Sequence, residues 1–143
     1  METMKVTDIN RTYANWGIHC QQALTFTLTG EIRKPDHIAF DKDSDIPEYN
    51  MSVKSSAFTL ASAKVNHGNN FDEKLEDFMN RVHSDKFAYV TLDLTAYIMD
   101  KETFREFVKT FCYFGVESKS KGGGTKIKCL KESKKMLRWL QER

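Results

Sequence analysis

The segment 41–56, DKDSDIPEYNMSVKSS, constrains the fold more than any other part of this chain. It begins with three acids at alternate positions, Asp41, Asp43 and Asp45. Aspartate and Pro47 favour a turn here, since Asp side chains bond the nearby backbone and proline fixes φ. Residues 48–56 then alternate, which predicts a strand. Its polar face would carry Glu48, Asn50, Ser52, Lys54 and Ser56. The sequence therefore predicts acids on a turn beside a strand that carries a lysine.

Length and composition are those of an ordinary globular chain. The 143 residues are 40% hydrophobic and 29% charged, enough for one domain with one core. We expect residues 1–143 to form that domain, with 113–143 as a basic strand-loop-strand-helix extension. No run of about 18 apolar residues occurs, so no membrane span is expected. The N-terminus has no apolar signal core, which favours a cytoplasmic location.

The three cysteines are Cys20, Cys112 and Cys129, and no two form a CxxC pair. An odd number at wide spacing favours reduced, buried thiols over a disulfide framework or a metal site.

Hydrophobic periodicity predicts a mixed α/β fold with a central mixed sheet flanked by helices. Helices are expected at 8–29, 71–83, 101–112 and 131–142, and strands at 37–40, 87–92, 95–99, 113–117 and 125–130. Helix caps are predicted at Asp8, at Asn70 or Asp72, and at Asp100, and Gly30 is a plausible helix stop.

Charge is distributed unevenly along the chain. Residues 118–143 hold nine basic and two acidic residues, a net charge of +7, so the remainder of this +2 chain sums to −5. A basic C-terminal segment on an acidic body suggests a polyanionic partner, although a solvated basic surface explains the charge equally well.

Acids on a turn beside a strand lysine suit metal-dependent phosphodiester hydrolysis. A divalent ion such as Mg²⁺ takes hard oxygen ligands, mainly carboxylates, and a strand carbonyl such as that of Val53 can contribute. A neighbouring lysine can orient the attacking water and stabilise developing negative charge.

The order Asp45…Ser52-Val53-Lys54 resembles the restriction-endonuclease-like, PD-(D/E)XK, superfamily. Its signature is an Asp at a turn or strand start, followed by an acid-any-Lys triplet on the next strand. The predicted element order over residues 8–100 is also similar to that fold. The resemblance implies a DNA partner and Mg²⁺ as cofactor, with Asp45 as metal ligand and Lys54 as catalytic residue.

One departure from that pattern concerns Ser52, which stands where the pattern has Glu or Asp. A hydroxyl is a poor Mg²⁺ ligand, so the site lacks one carboxylate. Glu48 lies on the predicted strand face, but about 13 Å away along an extended strand. Asp43 and Glu31 are the other candidates for the second acid. The alternative is a degenerate nuclease.

A second candidate site is the basic segment that follows residue 118. Its predicted nucleic-acid-binding residues are Lys119, Lys121, Lys126, Lys128, Lys134, Lys135 and Arg138. Residues 122–124 are all glycine, which lets backbone N–H groups approach phosphate, but the GxxxxGK[ST] spacing of a P-loop is absent. The alternative is a hairpin tip whose lysines serve solubility.

These patterns favour a DNA-binding, Mg²⁺-dependent endonuclease-like domain. Two alternatives stay open: a non-catalytic nucleic-acid-binding or regulatory protein of a mobile element, and a protein-interaction module that binds an acidic partner. The oligomeric state is also open, and a homodimer is one option.

Overall fold

The computed structural model describes residues 1–9, 15–33, 44–60, 70–116 and 125–143. The helices are α1 Trp16–Thr29, α2 Phe71–Arg81, α3 Lys101–Phe111 and α4 Lys134–Gln141. The strands are β1 Glu2–Lys5, β2 Met51–Ser55, β3 Thr59–Leu60, β4 Lys86–Val90, β5 Thr95–Asp100, β6 Cys112–Val116 and β7 Thr125–Cys129. The predicted strand at 37–40 lies outside the described residues. Within the described ranges, no helix is long and apolar enough to cross a membrane.

The strands form two sheets. A mixed sheet has the order β1-β5-β4-β2, in which β2 and β4 run parallel and the other pairs antiparallel. Parallel neighbours need a long crossover, and α2 lies in the connection between them. The second sheet is antiparallel, with the order β3-β7-β6. The predicted mixed α/β class is confirmed, but the C-terminal strands β6 and β7 form a second sheet together with β3.

Side-chain caps fix the starts of the helices. Asn70, Asp100 and Ser133 each accept a hydrogen bond from the backbone three residues on, as N-caps do. The predicted cap at Asp8 is wrong, because α1 begins at Trp16 and its cap is Asn15. The predicted stop is confirmed, since Gly30 has a left-handed backbone (φ 78°) that closes α1.

The predicted strand at 48–56 begins three residues late. Pro47–Tyr49 form a 3-10 turn, and Asn50 adopts a left-handed conformation (φ 49°). Ile46 and Met51 bond each other's backbone in both directions, at 3.0 and 3.3 Å, and so close the turn. Proline suits the first position of such a turn, since its φ is fixed and it lacks an N–H. The strand itself occupies only Met51–Ser55.

Strand β1 was not expected from the sequence. It pairs with β5 at the edge of the mixed sheet, and most of its residues are exposed. Strands with little buried surface show a weak hydrophobic pattern, which explains the omission.

The mixed sheet is buried on both faces. Ala88 and Val90 of β4 face α1, in a cluster with Cys20, Ala23 and Leu24. The alternate residues Phe87 and Tyr89 face the opposite way, toward α2, α3, α4 and the second sheet. There the rings of Phe87 and Phe104 stack with centroids 4.1 Å apart. Strand β4 is thus the centre of the fold, while β2 lies at one end of the described mixed sheet.

Candidate active site

An open cleft of about 650 Å³ lies beside β2. One wall is the start of α1, which contributes Gln21 among others, and the other wall is Asp45, β2 and the turn that follows it. Its lining residues include Gln21, Asp45, Val53, Lys54, Ser55 and Ser56. The structure therefore brings Asp45, Val53 and Lys54, all predicted as site residues, into one cavity.

Asp45 is fixed by the backbone of β2. Its Oδ2 accepts a hydrogen bond of 2.7 Å from the N–H of Val53. Burial raises the pKa of the Asp45 carboxyl, while the Val53 N–H and the positive charge of Lys54 act in the opposite direction. The carboxylate is therefore partly desolvated, which strengthens its attraction to a cation in the cleft.

The carbonyl of Val53 points to the same side as its N–H, because residues of a strand direct both groups to one neighbour. Since that N–H bonds Asp45 and not β4, the carbonyl also points away from β4. The outer edge of β2 thus offers a carbonyl oxygen next to the Asp45 carboxylate.

Lys54 pairs in register with Tyr89 of β4, and Ser52 pairs with Phe87. Because paired residues share a face, Ser52 and Lys54 lie on one side of the sheet, as the alternation predicted. Lys54 is half-buried and lines the cleft, where its charge acts on Asp45.

Glu48 does not occupy the predicted strand face. It lies in the 3-10 turn, where both of its oxygens accept hydrogen bonds from the guanidinium of Arg33. This interaction with Arg33 lowers the pKa of Glu48. Glu31, another candidate for the second acid, bonds the same guanidinium. Neither glutamate lines the cleft. Asp43, the remaining candidate, lies outside the described residues.

Ser52 belongs to a hydroxyl cluster. Its Oγ lies 2.6 Å from Ser84 Oγ, which in turn lies 2.9 Å from Ser44 Oγ. Only 8% of Ser52 is exposed, and the residue does not line the cleft. A carboxylate at this position would meet the Ser84 hydroxyl, so Ser52 fits its surroundings as a structural residue.

Gln21 lines the cleft but was not among the site residues predicted from the sequence. Although the structure buries His19 and Gln22, the apolar spacing of the predicted helix at 8–29 places His19, Gln21 and Gln22 together on its polar side and does not separate them. The structure does so: His19 Nε2 contacts Asp8, and Gln22 Oε1 accepts from the Arg33 N–H. Only Gln21 of these three lines the cleft.

The described part of the chain contains no group of three or more His, Cys, Asp or Glu side chains placed to hold a metal ion. Mg²⁺, however, is often held by one or two carboxylates and keeps several waters. The Asp45 carboxylate, the Val53 carbonyl and the Gln21 amide oxygen are hard donors of the right type. These donor types are the ones that a partly hydrated Mg²⁺ ion takes.

A basic surface lies near this cleft, since Lys128 pairs in register with the cleft residue Thr59 and Glu132, just before α4, bonds the cleft residue Ser56. We use that term for Lys126 and Lys128 of β7, with Lys131, Lys134, Lys135 and Arg138 in and before α4. The last four are exposed, and the two on β7 are half-buried. Lys119 and Lys121, also predicted to bind nucleic acid, lie outside the described residues.

Glu132 connects the basic surface to the cleft. Its backbone N–H donates to Ser56 Oγ at 3.0 Å, and Ser56 lines the cleft. Its carboxylate accepts from the Leu92 N–H at 3.1 and 3.2 Å and from Tyr89 OH. Burial raises the pKa of this carboxyl. The start of α4 is thus held against the ends of β2 and β4.

The chain matches no family model, no curated protein and no solved structure.

Proposed function

We propose that this chain is a restriction-endonuclease-like domain that binds DNA and hydrolyses its phosphodiester bonds with Mg²⁺. The observation that carries the proposal is the hydrogen bond from Val53 N–H to Asp45 Oδ2, which holds a desolvated carboxylate beside Lys54 in an open cleft. Two further features support it: the strand order and spacing of Asp45 and Lys54 resemble the PD-(D/E)XK pattern, and β2 and β4 form a parallel pair with α2 between them.

In this mechanism the chain's own residues position the substrate and balance its charge. Asp45, the Val53 carbonyl and Gln21 would hold Mg²⁺, which supplies Lewis-acid stabilisation of phosphate charge. Lys54 lines the cleft, where its ammonium group would stabilise the negative charge that develops on the phosphate or orient the attacking water. The partial burial of Asp45 and Lys54 strengthens both interactions.

The basic surface gives the DNA a path away from the cleft. Because Glu132 bonds Ser56, the lysines around the start of α4 adjoin the cavity that holds Lys54. Phosphates on one side of the scissile bond would contact Lys131, Lys134 and Lys135. Such contacts supply affinity without sequence preference.

A second candidate function is non-catalytic DNA binding by a nuclease-like scaffold. Ser52 favours it, because the position that carries the second acid in the PD-(D/E)XK pattern is committed to a buried hydroxyl cluster. This candidate keeps the basic surface and needs no metal.

Nicking of supercoiled plasmid in Mg²⁺ or Mn²⁺ tests the proposal. The wild-type chain is expected to nick the plasmid, and Asp45→Asn and Lys54→Met are expected to lose that activity while they still bind DNA. Binding without nicking by all three proteins would favour the non-catalytic candidate. An absence of DNA binding at low salt would refute both and favour a protein partner.

A further inference from the structure

Cys112 and Cys129 stand opposite each other in the second sheet. They are register partners of the antiparallel pair β6 and β7, and all three cysteines of the chain are free thiols. Neither belongs to the cleft or to the basic surface. The distance between them depends on whether they form a hydrogen-bonded or a non-hydrogen-bonded antiparallel pair, because the Cα atoms lie closer together in the second kind.

The backbone bonds of β7 identify that kind. The N–H of Cys129 donates to the Phe58 carbonyl at 2.8 Å, on the β3 side of β7. The next N–H, of Leu130, donates to the Phe111 carbonyl at 2.9 Å, on the opposite side. The backbone of Cys129 therefore points away from β6, and Cys112 and Cys129 form a non-hydrogen-bonded pair.

Such a pair suits a disulfide. Its Cα atoms lie about 4.5 Å apart, with the side chains on one face. Disulfides span Cα separations of roughly 4.4–6.8 Å, so no strand needs to move far. The two thiols already interact, since a hydrogen bond with Cys129 raises the pKa of Cys112, and burial raises it further. Cys129 is 3% exposed, whereas Cys112 is half-buried and the more accessible of the two.

We propose that Cys112 and Cys129 are a site of reversible disulfide formation that links β6 to β7. The link would fix the base of the hairpin that carries Lys126 and Lys128. The proposal stands apart from the nuclease function, because neither thiol contacts the cleft.

The chemistry needs a two-electron thiol oxidant, for which the azo compound diamide serves as probe. The Cys112 thiolate adds to one nitrogen of the N=N bond and forms an S–N bond. The Cys129 thiolate then attacks the Cys112 sulfur, so that the S–S bond forms and the S–N bond breaks. The two thiol protons and the electron pair leave with the hydrazine product. Because the raised pKa keeps Cys112 largely protonated, the reaction should accelerate as pH rises.

Peptide mapping of the folded protein after diamide treatment tests the proposal. Trypsin places the three cysteines in separate peptides, residues 12–33, 110–119 and 129–131. The expected product joins 110–119 to 129–131, two hydrogens lighter than the separate peptides, and leaves the Cys20 thiol free for alkylation once the treated protein is unfolded in urea. The same treatment in urea should give mixed links that include Cys20. If the protein is treated while folded and then unfolded, full alkylation of Cys112 and Cys129, or a link to Cys20, would overturn the proposal.

A second measurement does not depend on mapping. Oxidation should raise the urea midpoint of the wild-type chain and of Cys20→Ser, because a cross-link restricts the unfolded state. It should leave the midpoint of Cys112→Ser unchanged. An equal rise in Cys112→Ser, or none in the wild type, would contradict the proposed pair.

Discussion

Asp45 Oδ2 accepts a 2.7 Å hydrogen bond from the backbone N–H of Val53, and this bond fixes a carboxylate at the outer edge of β2. The N–H belongs to the side of β2 on which the described residues place no partner strand. The bond thereby holds the charge of Asp45 within reach of Lys54, the next residue along β2.

Asp45→Asn is expected to be at least as stable as the wild type at pH 7. Burial raises the pKa of Asp45 in the folded state, so ionisation of this group opposes folding. The stability that protonated Asp45 gives the folded state is fully present below the ordinary Asp pKa, and it is lost as the pH rises through the raised pKa of the folded state. The advantage of Asp45→Asn over wild type should therefore shrink as the pH falls toward 3. Urea unfolding at both pH values measures it.

Asp45→Ala is the matched variant. It removes the acceptor of the Val53 N–H as well as the charge, and should be about 1–3 kcal/mol less stable than Asp45→Asn. Equal stability of the two variants would mean that the Asp45–Val53 bond contributes nothing.

Ser52→Glu, which supplies the acid of the PD-(D/E)XK pattern, should destabilise the fold by about 3 kcal/mol. The new carboxylate would be forced against Ser84 at a position where the native Ser52 is only 8% exposed. Thr3→Glu on the exposed edge strand β1 is the control and should change stability by about 0.5 kcal/mol or less. Thermal unfolding of the two variants compares them, and equal decreases in stability would refute the buried hydroxyl cluster.

Phe104→Ala should cost about 3–5 kcal/mol of stability. The Phe104 ring is fully buried and stacks on Phe87 in the larger core. Tyr113→Ala removes a ring that is 46% exposed and should cost far less. Urea unfolding checks the pair, and a cost below that of Tyr113→Ala would contradict the assigned core.

Replacement of Lys134, Lys135 and Arg138 by Gln should weaken DNA binding equally for all sequences. The slope of log K against log salt should fall by about 0.9 for each phosphate that no longer pairs with a basic side chain. The control replaces Lys86, Lys101 and Lys109, which changes net charge equally outside the basic surface. Fluorescence anisotropy over a salt series measures both slopes. If the control lowers the slope as much, binding depends on net charge and not on the basic surface.

The sequence predicted what local patterns decide. Apolar spacing and the caps Asn70 and Asp100 predict helices α2 and α3, and the predicted ends lie within two residues of the observed ones. Alternation also placed Ser52 and Lys54 on one face correctly. The prediction from alternation was wrong for Glu48, because a pattern that repeats every two residues does not reveal the turn that begins at Pro47.

Contacts between residues far apart along the chain were not predicted from the sequence. Ser84, 32 positions beyond Ser52, occupies the space beside that hydroxyl. Gln21 reaches the cleft only because α1 packs on the mixed sheet, and Glu132 meets Ser56 across 76 positions. No spacing rule contains such pairs.

The assignment of the cleft as a nuclease active site is tested by the single-turnover cleavage rate of an end-labelled DNA duplex in Mg²⁺. Lys54→Met should reduce the rate constant about 100-fold or more, as the removal of a group that stabilises transition-state charge does. Lys86→Met, an exposed lysine on the neighbouring strand β4, should leave it within about twofold of wild type. Equal rates for Lys54→Met and Lys86→Met, or no cleavage by the wild type, would contradict the assignment of this cleft as a nuclease active site.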